Sequence, residues 1–356
     1  MQTIYNIRPK GLNVGNDAIA VAMQEFIYKA CGQLVNIVTI PATARYDGGG
    51  LYGLTKRSIH EINQYGSGVI LGGGNLYENG EIDVDTEALQ ALQVPLMAFS
   101  VSRGRVYNKK LELTRRTDTI SDATLKAISD RANINMLRDT ATVDYVTGLG
   151  CAAEFGGCPT IFLNDIYRRL PELKQIGEKY KDYAIISVRN PELMSIPPRF
   201  KSATKDHVAG VIKHYQEKQQ KVAILCHDTR DIAFANTYDV PFIFTGEVYS
   251  YLSLIANCKE LVSYRLHSFL PALSFGTPAV KISYDERALS LIADIGFGAW
   301  NIDLCKSNDV LCDVFERLNN FDQLRALLET VKPNWSLQRA TMLEAFQRFH
   351  ELMNGR

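Results

Sequence analysis

Short apolar runs and helical stretches alternate along almost the whole chain. Runs rich in β-branched and large apolar residues occupy 3–7, 34–40, 68–71, 94–101, 134–137 and 160–163 in the first half. A second series follows at 183–188, 221–226, 240–244, 260–264 and 279–283. Between them, apolar residues recur at helical spacing over 17–30, 121–131, 207–219, 249–257 and 288–295. Continuous apolar strands separated by helices predict parallel sheets covered on both faces. The alternation pauses over 164–182, where YRRLPELKQIGEKYKD is charged and carries no strand signal. That pause predicts a boundary between two doubly wound halves, 1–165 and 180–332. Lys332-Pro333-Asn334 predicts a second break, so that 333–356 forms a terminal helix (about 336–353) packing back toward the junction. No internal repeat or low-complexity segment interrupts the pattern.

Composition agrees with that organisation and narrows the partners. A chain of 356 residues, 46% of them hydrophobic, has room for two cores of this kind. Lysines and arginines number 39, as do aspartates and glutamates, and no basic run stands out. The broad electrostatic footprint of a nucleic-acid binder is therefore absent. An anionic ligand would have to be held by a few arginines placed by the fold. The start shows no basic segment followed by an apolar one, and no apolar run reaches the ~18 residues of a spanning helix. A cytoplasmic location is expected. Of seven scattered cysteines, Cys31, Cys226 and Cys258 lie in apolar periodic segments and read as core residues. Cys151 and Cys158 share one loop without a histidine pair, an incomplete ligand set, so no metal is expected.

In open parallel sheets, ligands sit beyond the carboxyl ends of the strands, so candidate chemistry is sought in residues that directly follow strand runs. Asn13-Val14-Gly15-Asn16-Asp17-Ala18 follows the first run and opens the first helix. Gly15 lets the backbone approach a ligand, and Asn16 or Asp17 can cap the helix; a plain capped helix start is the competing reading. Gly72-Gly73-Gly74-Asn75 permits positive φ and offers amides to an anion, but it is neither a dinucleotide nor a P-loop fingerprint. Gly48-Gly49-Gly50, inside the long loop 42–53, reads as a lid or surface loop. Arg138-Asp139 leaves the 134–137 run, and Arg189 leaves 183–188. Each arginine is either a planar fork for carboxylate or phosphate, or one half of an ion pair. Arg103 and Arg105 are weaker candidates of the same kind.

The richest segment is Ser263-Tyr264-Arg265-Leu266-His267-Ser268, at a strand-to-helix junction. An imidazole there can exchange protons near neutral pH, beside a hydroxyl and free helix amides. His227 opens a second polar loop, His-Asp-Thr-Arg, that could line the same cleft. His60, His214 and His350 fall within helical patterns and read as solvated. No GxSxG elbow is present, which removes the usual nucleophilic serine.

Taken together, these motifs resemble the polysaccharide pyruvyl transferase family. Ser263-Tyr264-Arg265-Leu266-His267-Ser268 continues through Gly276-x-Pro278 to Ser283-Tyr284-Asp285-x-Arg287. That run is similar to the family's S-x-R-x-H-[SA]…G-x-P…Y-[DN]-x-K signature, with its spacing intact. The glycines at 72–74, Arg138-Asp139 and the Asn-x-Gly loop near the start follow in the same order. Two positions depart from the family. Its Gly-Asp-x-Ala reads Gly15-Asn16-Asp17-Ala18 here, so Asp17 takes the acid's role from one position later or the role is absent. Its lysine is Arg287, which keeps the charge and adds a fork but cannot give up a proton.

The resemblance implies a GT-B-like α/β fold, two Rossmann-type doubly wound domains facing an inter-domain cleft, with the first domain on the acceptor side. It implies phosphoenolpyruvate as donor, a saccharide or lipid-linked oligosaccharide as acceptor, a pyruvate ketal as product and phosphate released, with no cofactor or metal. His267 would transfer protons, with Arg138 and Asp17 as the other catalytic residues. Arg287, Arg265, Ser268, Asn16, Gly73, Gly74, Asn75 and Arg189 would bind substrate. A lipid-linked acceptor would bring the protein to a membrane surface, and a homo-oligomer is compatible with all of this. Two other functions share the architecture: a GT-B glycosyltransferase using a nucleotide sugar, and a non-catalytic glycan-binding protein.

Overall fold

The computed structural model describes residues 1–356 except 12, 33, 47–49, 168–173 and 356. The Gly48-Gly49-Gly50 lid reading and the middle of the expected 164–182 boundary therefore lie largely outside the described residues. The first half contributes β1 (Gln2–Arg8), β2 (Val35–Pro41), β3 (Gly68–Gly74), β4 (Leu96–Val101), the short pair β5 (Val106–Tyr107) and β6 (Leu113–Thr114), β7 (Ile134–Leu137) and β8 (Glu154–Phe155). The second half contributes β9 (Tyr183–Val188), β10 (Lys221–Cys226), β11 (Phe242–Phe244), β12 (Glu260–Ser263), β13 (Ala279–Ser283) and β14 (Ile302–Asp303).

Two six-stranded sheets result, ordered β2-β1-β3-β4-β7-β8 and β11-β10-β9-β12-β13-β14. The strand pairs within them are parallel, as strands buried on both faces require. In each sheet the strand order reverses at one place, between β1 and β3 and between β9 and β12. Such switch points leave a crevice beyond the carboxyl ends of the strands. Both crevices open toward the space between the halves.

Most expected elements form within a few residues of their pattern; the helix expected over 207–219 begins nine residues earlier, at Pro198, and two other expectations differ in kind. The run 160–163 is a 3-10 turn, Pro159–Phe162, rather than a strand. Pro159 fixes φ and lacks an N–H for a ladder, and the turn instead buries Thr160 and Ile161 between the halves. The break at Pro333 does not occur either: one helix runs from Phe321 to Asn354. Pro333 stands on its solvent face, where the carbonyl it leaves free can turn to water, while Val331 and Trp335 on the other side stay buried.

That last helix crosses the junction. Leu324, Val331 and Trp335 join the core around Ile295 and Phe297, and the Trp335 indole N–H donates to the Ile295 carbonyl at 3.0 Å. Met342, Phe346 and Phe349 join the other half's core, where Phe346 meets Phe99 edge-on at 4.8 Å. The first helix, Val14–Cys31, is shared in the same way: Val14 and Ile19 pack into the second half's core, while Met23 and Phe26 pack into the first. The β5–β6 hairpin also reaches across. Tyr107 is buried in the second half's core, its hydroxyl donates to Asp303 at 2.5 Å, and Val106 forms an antiparallel bridge with Asp285.

Candidate active site

A cavity of about 800 Å³ occupies the space where the two crevices meet, within the range of small-molecule sites. From the first sheet come Asn13 and Asn16 after β1, Asn75 and Asn79 after β3, and Arg138 after β7. From the second come Arg189 after β9, His227 after β10, Tyr264, Arg265 and His267 after β12, and Tyr284, Asp285 and Arg287 after β13. Eight lysine or arginine side chains and three carboxylates are among the lining residues. An overall neutral protein has thus concentrated positive charge at one place, which favours an anionic ligand.

His267 sits at the start of the helix Leu266–Phe275 with φ −84° and ψ 16°, off the helical path of its neighbours. The Tyr251 hydroxyl donates to its carbonyl and fixes that kink. The ring is half-buried, and its Nε2 is closed to solvent without a hydrogen-bond partner. Burial, and then Arg138, Arg265 and Arg287, hold the imidazole well below its ordinary pKa. That balance favours the neutral ring.

The arginines are held rather than loose. Arg138 is buried; it donates to the Ser102 hydroxyl and lies 3.8 Å from Asp139, the N-cap of the helix Thr140–Gly148. Burial lifts the Asp139 carboxyl to about 6, against the pull of Arg138 and Thr142. Arg265 and Arg189 approach opposite oxygens of the buried Asp231, at 3.9 and 3.5 Å. Arg287 lies between two carboxylates: Asp285 of its own loop, and Glu78 of the first half at 2.9 Å. Glu78 is fully buried, and burial raises its pKa while Arg287 and Arg116 pull it down. This contact ties the halves across the cleft. Arg287 is therefore as much a structural bridge as a ligand for an anion.

Four of the expected site residues do not line the cavity. Asp17 turns away to pair with Arg8 at 2.7 Å, while Asn16 occupies the cavity wall. Position 17 on the first turn faces back along the helix toward β1, so moving the acid by one residue does not carry it into the cleft. Ser268 is buried below the motif, bonded to Ser263 at 2.5 Å and donating to Ser187 at 2.9 Å. It supports the Arg-x-His segment from beneath. Gly73 and Gly74 have φ of +77° and +83°, and a Cβ on Gly73 would lie 2.5 Å from Ile19. Gly73 thus admits the first helix against β3, and neither glycine is among the residues that line the cavity.

Sequence reasoning passed over Glu78, which is one polar residue in a polar loop and carries no signal. Lys281 had one: a lysine inside the apolar run AVKIS. It is fully buried, and its ammonium donates to the carbonyls of Tyr264, at 3.3 Å, and Ile282. Burial lowers its pKa from 10.5 to about 7, with Asp285 opposing and Arg265 assisting. The fold thus disfavours the charged form: the cost is complete below about pH 7 and disappears as pH rises toward 10.5. Lys281→Met is accordingly expected to raise Tm at pH 6 by roughly 2–6 °C, and by less at pH 9. A gain that does not shrink with rising pH would contradict a buried charge here.

Among the described residues no group of three or more His, Cys, Asp or Glu is placed to hold a metal ion. Cys226 and Cys258 are buried in the core, whereas Cys31 is only partly covered. His214 is half-buried and stacks on Phe315 at 4.3 Å rather than standing in solvent. No helix among the described residues is long and apolar enough to cross a membrane.

Comparison with solved structures identifies the architecture. S. aureus MnaA in its UDP co-structure superposes with a TM-score of 0.58 at 12% identity, over 93% of this chain and 91% of that one. The UDP-GlcNAc 2-epimerase of Methanocaldococcus jannaschii, in complex with UDP-GlcNAc and UDP, gives 0.56 at 11%, over 90% and 93%. A ugt transferase from Siraitia grosvenorii in complex with UDP gives 0.51 at 8%, over 99% and 100%. At such identities the likeness concerns the fold, which is GT-B-like: two Rossmann-type units facing one cleft. Among curated proteins, the amylovoran biosynthesis protein AmsJ of Erwinia amylovora is 29% identical over 73 residues, 20% of this chain and 18% of that protein. The profile described as Polysaccharide pyruvyl transferase matches residues 13–286, from the Asn-x-Gly loop to the end of the Tyr-Asp-Glu segment. This chain belongs to the polysaccharide pyruvyl transferase family.

Proposed function

We propose that the cleft moves the pyruvate unit of phosphoenolpyruvate onto sugar hydroxyls as a ketal and releases phosphate. The observation that carries this reading is His267 lining one cavity with Arg138, Arg265 and Arg287, whose charges favour its neutral form. Phosphoenolpyruvate carries a phosphate and a carboxylate. Its arrival counters the field of the guanidinium groups, so the imidazole that they keep neutral can take up a proton once the donor is bound. Protonating the methylene carbon then makes C2 electrophilic, and sugar hydroxyls attack it. Arginine forks that persist through the reaction stabilise the charge on the departing phosphate.

The acceptor, a saccharide or its lipid-linked precursor, would enter from the first half, past Lys10, Arg45 and Asn79. A cytoplasmic setting, contact with a membrane surface through the acceptor lipid, and the absence of a cofactor belong to the same proposal. The decisive measurement is phosphate release from phosphoenolpyruvate across a panel of glycan acceptors, with the product mass showing one added pyruvate ketal. Thermal stabilisation by UDP but not by phosphoenolpyruvate would reverse the reading in favour of nucleotide-sugar chemistry.

Arg138→Met keeps the stem that packs under the cavity and removes the fork. Each charge-assisted hydrogen bond from the guanidinium to the donor is worth about 1.5–3 kcal/mol, so affinity for phosphoenolpyruvate is expected to fall by roughly 10–100-fold. Titration with the donor alone measures it. An unchanged dissociation constant would remove Arg138 from the donor site.

A further inference from the structure

The reaction needs a base as well as an acid, and a second histidine faces the same cavity. His227 follows β10 and lines the cleft although it is almost wholly buried. A Cβ built on Gly15 would lie 3.0 Å from the His267 Cβ and 3.4 Å from the His227 Nδ1, so the two histidines flank this glycine and both line the cavity. The His227 Nε2 is 2.8 Å from the Ser187 hydroxyl and 3.3 Å from the Tyr251 hydroxyl. Tyr251 gives its single proton to the His267 carbonyl, and Ser187 accepts from Ser268. The Tyr251 oxygen can therefore only accept from His227, whereas the Ser187 hydroxyl can accept or donate; a proton on Nε2 satisfies both contacts and leaves Nδ1 as the lone-pair nitrogen. Burial, with Arg265, His267 and Arg189 nearby, favours the neutral ring.

We propose that His227 is the base of the site, taking the acceptor's hydroxyl proton at Nδ1 while His267 serves as the acid. This rests on the pyruvyl-transfer reading above. The acceptor oxygen bonds to C2 as its proton passes to Nδ1, and the donor methylene takes a proton from His267. The C2–O bond to phosphate then breaks, the electron pair leaving with the phosphate, which takes the proton from His227; a second hydroxyl closes the ketal and gives its proton to His267. Of the two hydroxyl protons lost, one ends in the new methyl group and one on phosphate. No oxidant or reductant is needed, and both rings return to their starting state.

Glutamine separates the two roles of this residue. His227→Gln carries its amide at the Nε2 position, so the bonds to Ser187 and Tyr251 persist, but nothing remains at Nδ1. Phosphate release with phosphoenolpyruvate and acceptor is expected to fall by about 10²–10⁴-fold, with Tm and donor-induced thermal shift unchanged. His227→Asn does the reverse, keeping a polar group near Nδ1 and losing the Nε2 bonds, and is expected to lower Tm. If His227→Gln retains more than about a tenth of the wild-type rate, His227 is only a support. If the wild type releases no phosphate with any acceptor, the pyruvyl-transfer reading itself falls and the base goes with it.

Discussion

His267→Ala is expected to reduce turnover by about 10²–10⁴-fold while the fold stays intact. The ring makes no side-chain hydrogen bond through Nε2 and is only half-buried, so its removal leaves no partner stranded. Tyr251 contacts the backbone carbonyl, which alanine retains. Circular dichroism and Tm should accordingly match the wild type within experimental scatter. The three neighbouring arginines also predict the pH response. In the free site they and burial hold the imidazole well below its usual pKa; in the loaded site the donor's negative charge raises it. An acid must be protonated to act, so activity falls as pH rises through the relevant pKa. The fall in kcat should therefore come at higher pH than the fall in kcat/KM, after allowing for the donor's own ionisation. Coincident limbs, or turnover within tenfold of wild type for the alanine variant, would displace His267 from the chemistry.

Arg287→Met should act mainly on stability. It removes the cation from between Asp285 and the fully buried Glu78. Breaking a buried pair by deleting one partner costs about 3–5 kcal/mol, which in a protein of this size lowers Tm by roughly 4–7 °C. Glu78→Gln in the same background removes the stranded charge and should recover part of the loss. Glu78→Gln alone should also destabilise, so the effects of the pair combine to less than their sum. Strict additivity would show that the two residues do not sense one another across the cleft. Asp285 also caps the helix Glu286–Asp294, accepting from the Ala288 amide, so it is left unchanged in this comparison.

How much of this was legible follows from which forces act locally. Parallel strands announce themselves as unbroken apolar runs, and the helices between them as periodic ones, so the two sheets could be read directly. Pro159 and Pro333 were harder. At Pro159 the apolar residues that suggested a strand are buried by packing between the halves; at Pro333 buried neighbours on one face carry the helix past a residue that usually ends one. Of the residues chosen by strand-exit position, His267, Arg138, Arg265, Arg189 and Asn16 line one cavity. Asp17, Ser268, Gly73 and Gly74 do not line it: Asp17 pairs with Arg8, Ser268 bonds to Ser263 and Ser187 beneath the motif, and Gly73 packs against Ile19. Glu78 could not be found this way, since its partner is 209 positions distant in sequence and only the assembled cleft joins them.

The last helix has a further consequence, for synthesis. Met342, Phe346 and Phe349 complete the packing beside β1, β3 and β4, strands that leave the ribosome before any of them. Until that part of the helix arrives, Ile70, Met97 and Phe99 lack part of their cover. The amino-terminal half is thus finished last, and during translation its exposed apolar surface is where chaperone capture or premature association should occur.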